Sequence, residues 1–200
     1  MLESTSPQRP LILGSTSRYR KELVERLNIP FTTASPDVDE TPMPGEPPGA
    51  LALRLALAKA HAVAEQFPDA IVIGSDQVSD LNGEPMGKPL VHERAVEMLR
   101  AMRGQTVMFH TAVAVVCKTT GFVQSDVAII KTVFRSDLTD DAIERYLRAE
   151  QPYDCAGSAK SEGLGISLLD AIHSDDPTAL IGLPMIRTCR MVRAAGIQLP

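Results

Sequence analysis

The chain of 200 residues is 44% hydrophobic and 22% charged, a balance typical of a single globular domain with enough apolar material for a core. A net charge of -5 and an aromatic content of only 4% argue against nucleic-acid binding, which needs a basic surface and stacking side chains. No segment approaches the ~20 apolar residues of a membrane span, and the N-terminal MLESTSPQRP does not resemble a signal peptide. The cysteines, Cys117, Cys155 and Cys189, lack CxxC spacing and indicate free thiols, so we expect a cytoplasmic protein.

The first predicted unit is a buried strand over 9–14, followed by the polar segment GSTSRYR and a helix over 22–27. Hydroxyl groups and cations at the start of a helix suit a phosphate, because the helix offers free N–H groups and the positive end of its dipole. The alternative is an ordinary N-cap, since Ser and Thr are preferred there in any case.

A short strand is predicted over 31–35, then a proline-rich loop over 36–49 that contains Asp37, Asp39 and Glu40. These carboxylates could ligate a hard cation, although such a run is more often simply solvated. The clearest helix is 50–67. On its helical wheel Lys59 lies among apolar positions, where it either snorkels to the surface, the commoner case, or enters a cleft to hold an anion.

The segment 71–89 begins with three β-favouring residues and then places Asp76 where the predicted strand ends. Asn82-Gly83 is a strong signal for a two-residue hairpin, which would return Lys88 towards Asp76. An anion and a cation on rigid backbone suit a site that handles phosphate and metal together. The alternative is a strand end and a turn with a solvated Asp and Lys.

Later elements are predicted from their periodicity: helices over 91–103, 140–150 and 183–195, a hairpin of two long strands over 106–116 and 122–134, and a strand over 166–172. Between the helix predicted over 140–150 and the strand predicted over 166–172, the glycine-rich loop 152–165 has the composition of a ligand-binding wall. It lacks the GxxxxGK[ST] pattern of a Walker A loop. His110 alternates with apolar residues and is interpreted as a hydrogen-bonded strand residue.

Four segments together resemble the Maf family of nucleotide pyrophosphatases: GSTSRYR at 14–20, DVDETP at 37–42, GSDQV to GKP at 74–89, and CAGSAKSEGLGI at 155–166, with GLP at 182–184. Each motif is weak alone, but their order and spacing are specific, and the resemblance spans about 9–195. The Gln after the Asp and the GSxKSEG loop are similar to the 7-methyl-GTP pyrophosphatase branch. Arg18 departs from the proline that is usual in the family.

The resemblance implies a single α/β domain over 1–200, similar to the inosine-triphosphate pyrophosphatases, with a long mixed sheet flanked by helices and a central cleft between two lobes. It implies hydrolysis of a nucleoside triphosphate to the monophosphate and pyrophosphate with a divalent cation, Mg²⁺ or Mn²⁺. Asp76 would be the general base. The other implied positions are Ser15, Arg20, Lys59 and Lys88 on the phosphates, Glu40 with Asp76 at the metal, and Tyr19, Gln77 and Glu162 at the base.

A guanine base offers N–H donors that Glu162 can accept, and N7-methylation adds a positive charge that favours a carboxylate and the aromatic face of Tyr19. We therefore expect a preference for 7-methyl-GTP over GTP, and for both over UTP or dTTP. The alternative is a regulatory module of cell division that binds a nucleotide without turnover. A binder of that kind has little use for Asp76 beside a triphosphate unless a metal lies between them. A homodimer is a further expectation.

Overall fold

The computed structural model describes residues 9–199. Its elements, in chain order, are β1 (Leu11–Gly14), α1 (Arg18–Glu25), β2 (Thr32–Ala34), α2 (Pro48–Gln66), β3 (Ile71–Leu81), β4 (Glu84–Met86), α3 (His92–Met102), β5 (Thr106–Cys117), β6 (Phe122–Phe134), α4 (Asp140–Glu150), β7 (Leu169–His173) and α5 (Met185–Ala194). Short 3₁₀ turns occur at Ala156–Ser158, Leu164–Leu168 and Ala179–Ile181. The signal-peptide expectation concerns residues 1–10, most of which lie outside the described residues.

One mixed sheet of seven strands forms the centre of the molecule, in the order β2-β1-β3-β5-β6-β7, with β4 paired to β3. The strands β2, β1 and β3 are parallel, whereas β3, β5, β6 and β7 pair antiparallel. The long strands β3, β5 and β6 run between two core regions. This arrangement confirms the expected α/β fold with a long mixed sheet flanked by helices.

Successive side chains of the long strands point to opposite faces of the sheet and pack in separate apolar cores. At one end, β5 packs Val113 and Val115 against α1 and α5, and packs Ala112 and Ala114 against α2 on the opposite face. At its other end β5 contributes Phe109 to a third core that contains residues of α3 and α4. Two lobes therefore share the long strand β5, because it is long enough to contribute to the two cores at one end and to the third core at the other.

The approach of α2 to β3 is unusually close, and its cause is small residues on both sides. A Cβ atom built on Gly74 would lie 2.6 Å from the Ala60 nitrogen and 2.8 Å from the Ala60 Cβ, and would also overlap the carbonyl oxygen of Ala56. Only a glycine at this point of β3 lets the alanine-rich face of α2 lie directly on the strand. This contact determines the position of the α2 side chains that lie close to Gly74.

Most predicted elements are confirmed, with small shifts at their ends. The Asn82-Gly83 hairpin is present, both residues have positive φ, and β5 and β6 pair as the second predicted hairpin. The strand predicted over 166–172 is shorter, because its first residues form a 3₁₀ turn and β7 begins at Leu169. Placing Asp76 at a strand end was wrong, because β3 continues to Leu81 and Asp76 pairs with Ala112 in its middle.

Within residues 9–199, no helix is both long enough and apolar enough to cross a membrane. Cys117, Cys155 and Cys189 are free thiols, as their spacing indicated. His110 lies in β5 and its Nε2 is 3.0 Å from Asp80 Oδ2, which confirms its interpretation as a hydrogen-bonded strand residue.

Candidate active site

A gap in the edge of β3 is the structural origin of the cleft. The strand β1 pairs with β3 only up to Gly74, and β4 pairs with it only from Ser79. Between them, positions 75–78 have β5 on one side and no strand within residues 9–199 on the other. Asp76, Gln77 and Val78 therefore line an open cleft although they lie in the middle of a regular strand.

A buried ion pair between Lys59 and Asp76 lies at this gap. Lys59 Nζ is 2.7 Å from Asp76 Oδ1, and their side chains are only 7% and 11% exposed. The same ammonium lies 2.6 Å from Glu40 Oε1, a carboxylate that is 57% exposed. Lys59 consequently faces the cleft and does not snorkel to the outer surface of α2. The close contact at Gly74 brings the two side chains within reach of each other.

Glu40 lies close to Lys59 because a side chain of α2 holds the proline-rich loop 36–49 against the helix. Arg54 donates hydrogen bonds to Glu46, at 2.6 and 2.8 Å, and to the carbonyl of Thr41. Burial opposes ionisation of Glu40, but the hydrogen bond and charge of Lys59, with the charges of Lys88 and Arg20, hold its pKa below the ordinary value. Glu40 is therefore an anion at neutral pH. Asp37 and Asp39 are not among the residues that line the cleft.

The polar half of the cleft, about 390 Å³, is built on the turn between β1 and α1. Ser17 caps α1, so the N-cap interpretation is right for Ser17 and leaves Ser15 for another role. The Ser15 hydroxyl oxygen accepts hydrogen bonds from the Ser17 nitrogen at 3.2 Å and from Arg20 Nη1 at 3.4 Å. Its own proton remains available to an anion in the cleft, because both contacts use the oxygen as acceptor.

Arg20 is held by its Nε, which donates to the carbonyl of Gly182 at 2.8 Å. Burial lowers its pKa, and the charges of Asp76 and Glu40 oppose that effect; a guanidinium still remains a cation at neutral pH. Lys88, beyond the β3–β4 hairpin, is exposed and forms no ion pair within residues 9–199. The polar half is therefore lined by four cations, Arg18, Arg20, Lys59 and Lys88, and by the carboxylates of Glu40 and Asp154.

The second half of the cleft, about 460 Å³, is more apolar and is lined by Leu51, Val78, Met86, Leu90, Leu180 and Ile181 among others. The two halves are compartments of one cleft, because they share Ser17, Tyr19, Arg20, Glu40, Lys59, Lys88 and Asp154. Lys59 and Glu40 therefore lie where the polar compartment meets the apolar one. Such a division suits a ligand with a charged end and a flat, largely apolar end.

Gln77 carries a fixed amide into the apolar half. Its Nε2 donates to Thr111 Oγ1 at 2.9 Å and lies 3.0 and 3.1 Å from the carbonyl oxygens of Ala179 and Leu180. Carbonyl oxygens only accept, so this environment determines which end of the amide is the nitrogen. The Oε1 atom has no hydrogen-bond partner within residues 9–199 and is the end left for a ligand.

Tyr19 and Glu162 also line the apolar half. Burial, more than any neighbouring charge, raises the pKa of Glu162. The Tyr19 hydroxyl accepts a hydrogen bond from Arg18 at 2.7 Å, and the Arg18 guanidinium lies over the ring, 4.7 Å from its centroid. A cationic base could stack on that face only after Arg18 has moved. This arrangement is specific to a chain with Arg18 in place of proline.

All nine candidate residues line the cleft: Ser15, Tyr19, Arg20, Glu40, Lys59, Asp76, Gln77, Lys88 and Glu162. Sequence reasoning missed the turn at 179–182, whose carbonyl oxygens hold Arg20, Gln77 and the buried Ser75 hydroxyl. The GLP motif at 182–184 was its only signal. A main-chain carbonyl has no side-chain signature, so its role could not be predicted.

The fold and the cleft thus define an α/β protein whose cleft has a cationic, polar compartment and an apolar one, a combination that suits a phosphorylated ligand with an apolar part. The chain belongs to the Maf family, and matches the family described as Maf-like protein over residues 10–195. It is 69% identical over 195 residues to a protein of Polaromonas sp. (strain JS666) named 7-methyl-GTP pyrophosphatase, covering 98% of this chain and 89% of that protein.

Two further relatives have the same name. A protein of Albidiferax ferrireducens is 66% identical over 191 residues, covering 96% of each chain. A protein of Aromatoleum aromaticum is 58% identical over 190 residues, covering 95% of this chain and 97% of the other. The family resemblance predicted from the motifs is thereby confirmed.

Proposed function

We propose that this protein is a nucleoside triphosphate pyrophosphatase that converts 7-methyl-GTP and water to 7-methyl-GMP and pyrophosphate. The observation that carries this conclusion is the cluster of Lys59, Asp76 and Glu40 at the boundary between the polar and apolar halves of the cleft. A ligand with its phosphates in the polar half and its base in the apolar half has its α-phosphate at that boundary. The names of the relatives support the same activity.

The roles of the phosphate-binding residues follow from charge. A triphosphate carries about four negative charges, and nucleophilic attack on it requires their neutralisation. Arg20 and Lys88 provide cations on the polar side, and the Ser15 hydroxyl provides a hydrogen-bond donor. Each charge-assisted hydrogen bond of this kind contributes about 1.5–3 kcal/mol. Lys59 contributes a further cation at the boundary.

Asp76 is the proposed general base. Its Oδ1 accepts the hydrogen bond from Lys59, which fixes the orientation of the carboxylate, and its Oδ2 has no hydrogen-bond partner within residues 9–199. Oδ2 can therefore accept the proton of the attacking water. The proton leaves the water as its oxygen bonds to the α-phosphorus and the bond to the departing pyrophosphate breaks.

The donor set at the boundary fits a divalent cation. Glu40 and Asp76 offer hard carboxylate oxygens, and they already enclose a cation, the Lys59 ammonium. Within residues 9–199 no group of three or more His, Cys, Asp or Glu side chains could hold a metal ion. A cation held by Glu40 and Asp76 would therefore need its other ligands from phosphate and water. A bound Mg²⁺ or Mn²⁺ would lower the pKa of a bound water and offset phosphate charge.

Base recognition is proposed for two acceptors in the apolar half. The Oε1 of Gln77 and the carboxylate of Glu162 match the N–H donors of guanine, and the negative charge of Glu162 favours the cationic 7-methylated ring. A uracil or thymine base has fewer donors and would leave Glu162 unpaired. We also propose a cytoplasmic location, which the free thiols support.

The test is a panel of 7-methyl-GTP, GTP, UTP and dTTP with Mg²⁺ or Mn²⁺, in ¹⁸O-labelled water. Release of intact pyrophosphate, with the label in the monophosphate, is the expected result, and excess chelator should abolish it. The matched control for Asp76→Asn is Asp69→Asn, an exposed aspartate just before the same strand. Successive release of orthophosphate would indicate a phosphatase. Tight binding without any product would favour the regulatory module.

A further inference from the structure

The helix α4 fastens the loop that carries Glu162 at two points. The Tyr146 hydroxyl donates to the carbonyl of Ser158 at 2.9 Å and accepts from the Lys160 nitrogen at 3.0 Å. One helical turn later, Glu150 Oε2 accepts from the Leu164 nitrogen at 2.8 Å, and Glu150 Oε1 pairs with Lys160 Nζ. Both sides of Glu162 are therefore attached to one face of α4.

The loop fits against these side chains without spare room. A Cβ atom on Gly163 would lie 2.5 Å from Glu150 Oε2, and one on Gly165 would lie 2.5 Å from the Lys160 carbonyl oxygen. The side chains of Glu150 and Lys160 are only 12% and 17% exposed, so solvent screens their pairing weakly. Glycine at 163 is thus required by the Glu150 carboxylate of α4, which lies directly against the loop.

Lys160 has two carboxylates as neighbours. It pairs with Glu150, and its charge also acts on Glu162, two residues further along the loop. Its Nζ lies 5.7 Å from the centroid of the Tyr19 ring, at the edge of the apolar half of the cleft. An ammonium in this position would neutralise Glu162 if it were released from Glu150, because no other anion is then its partner.

We infer that Glu150 is a positioning residue for base selectivity: it binds Lys160 and thereby leaves the Glu162 carboxylate free to accept the donors of the base. This inference rests on the proposed role of Glu162 in base recognition. Without the charge of Glu150, Lys160 pairs with Glu162 and competes with a cationic guanine for the same carboxylate. In the wild type, the ion pair with Glu150 therefore prevents the Lys160 ammonium from inhibiting base binding at Glu162.

Equilibrium binding of 7-methyl-GMP and UMP tests this without requiring turnover. For Glu150→Gln we expect the preference for 7-methyl-GMP over UMP to fall about tenfold or more, the equivalent of one charge-assisted hydrogen bond. For Lys160→Met we expect the preference to persist. The double variant Glu150→Gln/Lys160→Met should regain the preference to within about threefold of the wild type, because the competing ammonium is gone.

A merely structural role for the ion pair gives a different result. The double variant would then be at least as impaired as Glu150→Gln, and that outcome would overturn the inference, as would a wild type without any preference. Glu144→Gln, which removes a charge from the same helix without touching the loop, is the control and should leave the preference unchanged. Binding with preference but no hydrolysis would refute the proposed enzyme only, whereas hydrolysis with an unchanged preference in Glu150→Gln would refute this inference only.

Discussion

Substitution of Lys59 by methionine keeps the length and the apolar stem of the side chain and removes only its ammonium. Asp76 then loses the donor to its Oδ1 while its side chain stays 11% exposed. Glu40, at 57% exposure, regains contact with water instead. The perturbation therefore leaves one buried carboxylate without its partner, and the other carboxylate is affected much less.

The magnitude follows from this difference in burial. Removing one member of a buried ion pair costs about 3–5 kcal/mol, and the slight exposure of Asp76 places the expected loss of stability near the lower value, about 3 kcal/mol. The loss of a charge-assisted contact to the phosphates, about 1.5–3 kcal/mol, corresponds to a fall in kcat/KM of roughly 10- to 150-fold. A domain of ordinary stability, about 5–15 kcal/mol, remains folded.

Urea unfolding and steady-state kinetics on 7-methyl-GTP measure the two effects separately. The double variant Lys59→Met/Asp76→Asn replaces the ion pair by neutral groups, so we expect it to regain much of the stability but none of the activity. Lys118→Met is the matched control, since Lys118 pairs with Glu65 on the exposed surface, where an ion pair contributes about 1 kcal/mol or less. An unchanged unfolding midpoint in Lys59→Met, or recovered turnover in the double variant, would refute the reasoning.

Three further expectations concern the same site. Gly74→Ala should lower the free energy of unfolding by at least about 1–3 kcal/mol, because the new Cβ meets the backbone of Ala56 and Ala60; an unchanged denaturation midpoint would contradict this. Asp76→Asn should lower kcat at least about 100-fold, the usual range for a general base, with the far-ultraviolet dichroism retained, and near-wild-type turnover would exclude that role. Burial raises the pKa of Glu162, so this carboxyl is protonated at a higher pH than an exposed glutamate. Lowering the pH through that raised pKa should raise the KM for 7-methyl-GTP but not for UTP, and identical pH profiles for the wild type and Glu162→Gln would contradict it.

Local patterns in the sequence were sufficient for most of the elements and for singling out Asp76, Lys59 and Lys88, whereas the other candidates came from the resemblance to a family. The 3.6-residue periodicity over 50–67 predicted α2, and Asn82-Gly83 predicted a hairpin that the backbone confirms. The wheel singled out Lys59, because a cation among apolar positions needs a partner or an exit to solvent. These signals succeed because helix periodicity and turn chemistry depend on neighbours in the chain.

The sequence by itself therefore determined most of the helices and strands and pointed to a phosphate site, and its resemblance to a family added the remaining candidates for a nucleotide site. Only the tertiary structure decided whether Lys59 meets Asp76, because that depends on the close packing of α2 on Gly74 and on the gap between β1 and β4. It also decided which end of the Gln77 amide is free, since carbonyl oxygens at 179 and 180 hold the other end. Contacts between distant segments depend on which faces pack together, and a main-chain acceptor is the same whatever residue carries it.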